Sequence, residues 1–169
     1  GVLEFWRKRG GKLIYAGSST KFTGPRIDGT EGRDLAPYTW AKAANSELVR
    51  NYSRWYGLKY AIVYFYNVYG PRAGAGQFGG AYGTVIETFK QYYLSGKPCE
   101  VCKPGTQTRA FTHVDDTISG IILAAEKGEG GEYGICNQDV YSLFEVAKLF
   151  GCKIKMVPPT ETSRSSGAV

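Results

Sequence analysis

Apolar and polar positions along the chain fall into blocks that predict a strand, helix and strand, followed by shorter pieces. Tyr60-Ala61-Ile62-Val63-Tyr64-Phe65-Tyr66 is a continuous apolar run, the pattern of a strand covered on both faces. Upstream, Lys12 to Ala16 reads as a strand, entered after Gly10-Gly11 stop an amphipathic helix over Val2 to Arg9. A helix is predicted from Tyr38 to about Tyr56, closed by Gly57, with Ala41, Ala44, Leu48 and Tyr52 as its apolar stripe. Further on come a helix over Val85 to Leu94, a short strand over Cys99 to Cys102 and a turn at Lys103-Pro104-Gly105-Thr106. Thr108 to Asp116 reads as extended, its last two acids capping a helix over Thr117 to Lys127. Tyr133 to Cys136 reads as a strand, and Ser142 with Glu145 as a capping box for a helix over Leu143 to Phe150. Residues 21–36 and 73–83 carry loop composition, and 158–169 reads as an unanchored tail.

Strand, loop, helix and buried strand make a βαβ unit, so the expected class is α/β with a parallel sheet. The chain has 169 residues, which fits one domain or parts of two. No apolar run approaches the ~18 residues of a membrane span, and the first residues lack the order of a signal peptide. A cytoplasmic location is the expectation. The net charge of +6 is spread out, with Arg7-Lys8-Arg9 the tight cluster. It supports no nucleic-acid or membrane partner and suits an anionic small substrate. Cys99-Glu100-Val101-Cys102 has the spacing of a zinc knuckle, but Cys136 and Cys152 form no second pair and His113 is the only histidine. Reduced structural cysteines and no metal are expected.

Candidate chemistry enters at Tyr38 and Lys42. Four residues apart on a helix, they share one face, and a cation held there favours the phenolate of a group that otherwise titrates near ~10. Such pairs are also common on helix surfaces, so spacing alone describes a surface pair. Context adds weight: Pro37 suits the first turn of a helix, and the hydroxyls Ser18-Ser19-Thr20 end the preceding strand. Open α/β sheets bind ligands at that edge.

Ser-Ser near a strand end, Tyr38-x-x-x-Lys42, Asn67-Val68-Tyr69-Gly70-Pro71-Arg72 and Arg109-Ala110-Phe111-Thr112-His113-Val114-Asp115-Asp116 stand in the order of a known family. The chain resembles the extended short-chain dehydrogenases/reductases, the NAD-dependent nucleotide-sugar epimerases and dehydratases, and within them the UDP-glucose 4-epimerase type. The resemblance implies Tyr38 as catalytic base, Lys42 as the residue that activates it and holds the nicotinamide ribose, and Ser19 as the hydroxyl that orients the substrate. Ser18 and Thr20 are close alternatives to Ser19. It further implies NAD contacts at Ala16, Gly17, Ser18, Tyr38, Lys42 and Phe65. Contacts to a nucleotide-sugar, a UDP-sugar by preference, are implied at Ser19, Thr20, Asn67, Val85, Arg109 and Arg164. Asn67 also suits a plain strand end, Arg109 a surface cation, and Arg164 lies in the unanchored tail. His113 reads as packed or hydrogen-bonded rather than as a base.

The implied fold is part of a Rossmann-type doubly wound sheet, residues 1–72, with a nucleotide-sugar subdomain over 73–169 that returns a strand and helix to the sheet. Departures accompany it. The sequence has no Gly-x-x-Gly-x-x-Gly turn for a dinucleotide pyrophosphate, and by resemblance the chain is expected to be truncated at both ends. Tyr64 stands where relatives carry an arginine, so a structural pairing is expected to be lost. Lys21 follows Ser19-Thr20 where dehydratases place Asp-Glu, which favours epimerisation through a 4-keto sugar over dehydration. A decarboxylase, a reductase or a silent nucleotide-sugar-binding module are the alternatives. The parent protein is expected to be a homodimer.

Overall fold

A computed structural model of the chain describes residues 1–19, 37–73 and 84–159. Helix α1 (Val2–Arg9) ends where Gly10 adopts a left-handed φ of 69°, and its amide donates to the Trp6 carbonyl. Strand β1 (Lys12–Ala16) follows, then α2 (Pro37–Tyr56), with proline as its first residue, and β2 (Lys59–Phe65). β1 and β2 pair in parallel with Ala16 opposite Val63, which gives the βαβ unit read from the sequence. Strand β7 (Gly131–Ile135) joins the other side of β2, also in parallel, so the three-stranded order is β1-β2-β7.

β2 is central and is covered on both faces. Ala61, Ile62, Val63 and Tyr64 are at most 2% exposed. On one face Ile62, Tyr64 and Tyr66 pack with Trp6 of α1 and Val49 of α2. On the other, Ala61 and Val63 pack with Ala124 of helix α4 (Val114–Lys127) and Ile135 of β7. Burial of Ile62 and Val63 contributes about 1.5–3 kcal/mol each, which is why this strand needs no polar alternation.

A third apolar cluster lies under helix α3 (Val85–Leu94), whose Phe89 packs with Cys99 and Val101 of β4 (Cys99–Cys102), Phe111, and Val146 and Ala147 of helix α5 (Leu143–Leu149). β4 pairs in parallel with β9 (Ile154–Val157), β5 (Thr108–Ala110) pairs antiparallel with β8 (Val140–Ser142), and β3 (Val68–Tyr69) pairs with β6 (Thr112–His113). The Ser142–Glu145 capping box is present, with the Ser142 hydroxyl accepting from the Glu145 amide and the Glu145 carboxylate from the Ser142 amide.

Several expectations are corrected. The buried positions of α2 are Thr39, Ser46 and Val49, whereas Leu48 is exposed, because small polar residues seat this helix against the sheet and Ser46 returns its hydroxyl to the Lys42 carbonyl. Helix α4 begins at Val114, not Thr117. His113 is its N-cap, Nδ1 accepting from the Asp115 amide at 3.3 Å, so Asp115 and Asp116 occupy the first turn and answer its dipole from inside the helix. Cys99 and Cys102 stand three apart on a strand and so fall on opposite faces, which opens the knuckle spacing. Among the described residues no helix is long and apolar enough to cross a membrane.

Candidate active site

The strand ends supply the site. β1 and β2 are parallel and in register, so Gly17-Ser18-Ser19 and Tyr66-Asn67 leave the sheet at the same edge. α2 returns to that edge at its N-terminus and brings Tyr38 and Lys42. Lys42 Nζ donates to the Ala16 carbonyl at 2.9 Å and lies 5.9 Å from the centre of the Tyr38 ring and 5.3 Å from that of Tyr15. One ammonium thus ties the helix to the last residue of β1 and faces two aromatic rings. Tyr38 is 59% exposed, which leaves its hydroxyl open to a ligand.

Gly17 is buried, and its amide donates to the Val63 carbonyl at 2.9 Å. A Cβ there would come within 2.6 Å of the Tyr64 ring, so the β1 exit lies flat on β2 only because position 17 has no side chain. Ser18 and Ser19 follow, both half-buried. Phe65 stands at the end of β2 but packs on the α4 face, among Ala61, Val63 and Ile135, away from Tyr38. Thr20 and Arg164 lie outside the described residues.

Asn67, Val85 and Arg109 come together. They line a cavity of about 270 Å³ with Val68, Thr84, Phe111 and Leu143. Asn67 has φ 39°, in the left-handed region that Asn tolerates, and its Nδ2 donates to the Ala110 carbonyl at 2.9 Å. That bond joins the end of β2 to β5, the strand that carries Arg109. Arg109 is half-buried, and its Nη1 donates to the Thr108 carbonyl at 2.7 Å. The cavity therefore has an amide, a guanidinium and the Thr84 hydroxyl beside Val68, Val85, Phe111 and Leu143, a composition that suits a flat ring beside an anionic group.

Four cavity residues, Val68, Thr84, Phe111 and Leu143, were not site candidates from the sequence, and Val68 simply follows Asn67. Thr84 carried a usable signal, since it is the N-cap of α3 and accepts from the Glu87 amide. Phe111 stands two residues after Arg109 in the extended piece, the spacing of a shared face. Leu143 had none, because its place depends on where the Ser142 cap sets α5. Tyr64, where the resemblance led to the expectation of a lost pairing, has a partner of its own in Glu132. The Tyr64 hydroxyl donates to Glu132 Oε2 at 2.5 Å, and Arg50 Nη1 donates to Glu132 Oε1 at 2.5 Å.

Groups at this edge fit the nicotinamide end of a dinucleotide. Lys42 and Tyr38 present a charged donor and a hydroxyl beside one another at the strand edge, which suits a ribose and the ring it bears.

Comparison with known proteins gives the same direction. Residues 1–137 match the sequence model of the NAD dependent epimerase/dehydratase family. The chain is 32% identical over 129 residues to UDP-glucuronic acid decarboxylase 3 of Arabidopsis thaliana, covering 73% of this chain and 36% of that protein. It is 32% identical over 157 residues to a UDP-N-acetyl-alpha-D-glucosaminuronate decarboxylase of Bacillus cytotoxicus, covering 87% of this chain and 47% of that protein. It thus spans less than half the length of either relative. In structure it is similar to the UDP-glucose 4-epimerase of Thermotoga maritima, solved with UDP-glucose, at a TM-score of 0.83 and 24% identity over 99% of this chain and 57% of that one. That likeness shows a shared Rossmann-type fold.

Proposed function

The chain belongs to the NAD dependent epimerase/dehydratase family, and on that premise we propose that it carries the proton-transfer and sugar-nucleotide residues of an enzyme that oxidises a nucleotide-activated sugar to its 4-keto form and returns it as the epimer. The observation that carries this reading is the joint placement of Tyr38 and Lys42 at the end of β1, with Lys42 bonded to the Ala16 carbonyl. Tyr38 takes the proton of the sugar hydroxyl as its carbon is oxidised and gives a proton back on reduction. Ser19 donates a hydrogen bond to the reacting oxygen. Lys42 contributes positive charge beside the Tyr38 ring and a donor for the ribose of the dinucleotide. NAD+, when bound, supplies the hydride acceptor and then the donor. Asn67, Val85 and Arg109 hold the nucleotide diphosphate in their cavity, Arg109 as the cation for its phosphates. Residues 1–72 serve the dinucleotide side and 73–169 chiefly the sugar nucleotide, and a second copy docks on α1 and α2, where Phe5, Trp40, Trp55 and Tyr56 are exposed.

A second reading is decarboxylation of a nucleotide-linked uronic acid, favoured by the names of the two relatives at 32% identity. It shares the first oxidation and the role of Tyr38 and differs in the fate of the 4-keto sugar, which loses carbon dioxide instead of turning over.

Calorimetric titration of the chain with NAD+, UDP-glucose and UDP-glucuronic acid, followed by product analysis, tests both. Binding of the sugar nucleotides with a 4-epimer as product supports the first reading. A pentose product from UDP-glucuronic acid moves the assignment to the second, and sugar-nucleotide binding with neither NAD+ binding nor turnover makes the chain a binding module.

A further inference from the structure

Glu132 is the second residue of β7, and no sequence pattern marks it. Its side chain is 29% exposed and is gripped from two sides, by the Arg50 guanidinium on one carboxylate oxygen and the Tyr64 hydroxyl on the other. Burial works against the charge of Arg50, yet the Glu132 carboxylate holds the guanidinium pKa above its ordinary value.

Each donor leads back to the strand edge where Tyr38 stands. Arg50 is eight residues beyond Lys42 on the same helix, about two turns, so holding Arg50 sets where Lys42 sits along the sheet. Lys42 in turn bonds to the Ala16 carbonyl. Tyr64 lies with its ring against Gly17, the residue after Ala16 and two before Ser19. The contacts close on themselves: Glu132 to Arg50, along α2 to Lys42, across to Ala16, on to Gly17, and through the Tyr64 ring back to Glu132.

We propose that Glu132 is a positioning residue, a single carboxylate on β7 that fixes the register of α2 and the height of the β1 exit together, so that Tyr38 and Lys42 meet Ser19 in one arrangement. The need for one group to serve both is physical. α2 is seated by Thr39, Ser46 and one apolar side chain, Val49, a narrow footing against sliding, and the β1 exit carries no side chain at Gly17 and is held there by the Gly17 amide on the Val63 carbonyl and by the Tyr64 ring. A bidentate charged group supplies a directional restraint that apolar contact lacks. Tyr64 completes the device, since a hydroxyl reaches Glu132 while the ring fills the space over Gly17. The inference rests on the reading of Tyr38, Lys42 and Ser19 as the proton-transfer centre.

The test compares the wild type with Glu132→Gln and Arg50→Met by steady-state kinetics on the sugar nucleotide, by its calorimetric affinity, and by amide hydrogen exchange. Glu132→Gln is expected to lower kcat about tenfold, with KM and affinity within about twofold of wild type. Exchange is expected to quicken in two distant segments, residues 15–19 and 41–46, and to stay unchanged in α3 and β4. Adding Arg50→Met to Glu132→Gln is expected to cost little more, because both remove the same link. An unchanged kcat per folded molecule, or faster exchange confined to β7, overturns the proposal. If the wild type itself has no turnover, the enzymatic reading fails on its own, and the exchange at 15–19 and 41–46 still decides whether Glu132 holds both segments.

Discussion

Lys42 Nζ and the carbonyl of Ala16 are joined by a hydrogen bond of 2.9 Å between residues 26 apart in sequence. This bond fixes one helix face to one strand end and so holds Tyr38 and Lys42 together at the edge where β1 leaves the sheet.

Tyr38→Phe removes the hydroxyl from a side chain that is mostly in solvent. The expected outcome is a loss of turnover of about 10²–10⁴-fold with sugar-nucleotide affinity retained, and a folding stability within about 0.5 kcal/mol of wild type. Kinetics, calorimetry and urea unfolding on the same preparation check all three. Activity like that of the wild type would remove Tyr38 as the base.

Gly17→Ala places a methyl group where the Tyr64 ring already lies, 2.6 Å from Cε1. A destabilisation of about 1–3 kcal/mol is expected from this overpacking. In a Tyr64→Leu background the same change should cost about half as much or less, which a double-mutant cycle in urea reads directly. Equal costs in both backgrounds would mean that another group opposes the methyl.

Asn67 combines a left-handed backbone with a bond to the Ala110 carbonyl. Asn67→Gly keeps the backbone at ease and loses the bond, for about 1–2 kcal/mol. Asn67→Ala loses both, and is expected to cost about 1 kcal/mol more than the glycine variant. Chemical denaturation ranks them, and the reverse order would show that φ is not strained at this position.

Acid acts through the caps and ion pairs. The Ser142 hydroxyl and then its amide hold the Glu145 carboxyl below its ordinary 4.5. Glu100 is lowered chiefly by Lys155, and Glu4 by Arg7 and Tyr52. A carboxyl lowered in the folded state contributes stability above its unfolded value, and that contribution disappears as pH falls through the folded one. Protection of the Glu145 and Val146 amides is therefore expected to drop as pH falls below 4.5. In Glu145→Gln the protection should be lower throughout and flat in that window. A wild-type profile that is itself flat would contradict the assignment.

Much of this was legible along the chain. Val2–Arg9, Lys12–Ala16, Val85–Leu94 and Cys99–Cys102 fall where periodicity and glycine stops put them, and the capping box needed only Ser142 and Glu145 at the right spacing. These signals are local: an apolar period, a φ that glycine tolerates, a hydroxyl three residues before an acid. The Tyr38–Lys42 pair and the family motifs were legible for the same reason.

Tertiary structure alone decided the rest. β3, β8 and β9 are short and mixed in polarity, and they become strands only because β6, β5 and β4 lie beside them. The start of α4 depended on which way His113 turned its ring, and the buried face of α2 on which small residues met the sheet. The cavity of Asn67, Val85 and Arg109, and the grip of Arg50 and Tyr64 on Glu132, join segments 18 to 82 residues apart. Such contacts leave no period in the sequence, because their partners are chosen by the packing of a sheet between helices and not by neighbours along the chain.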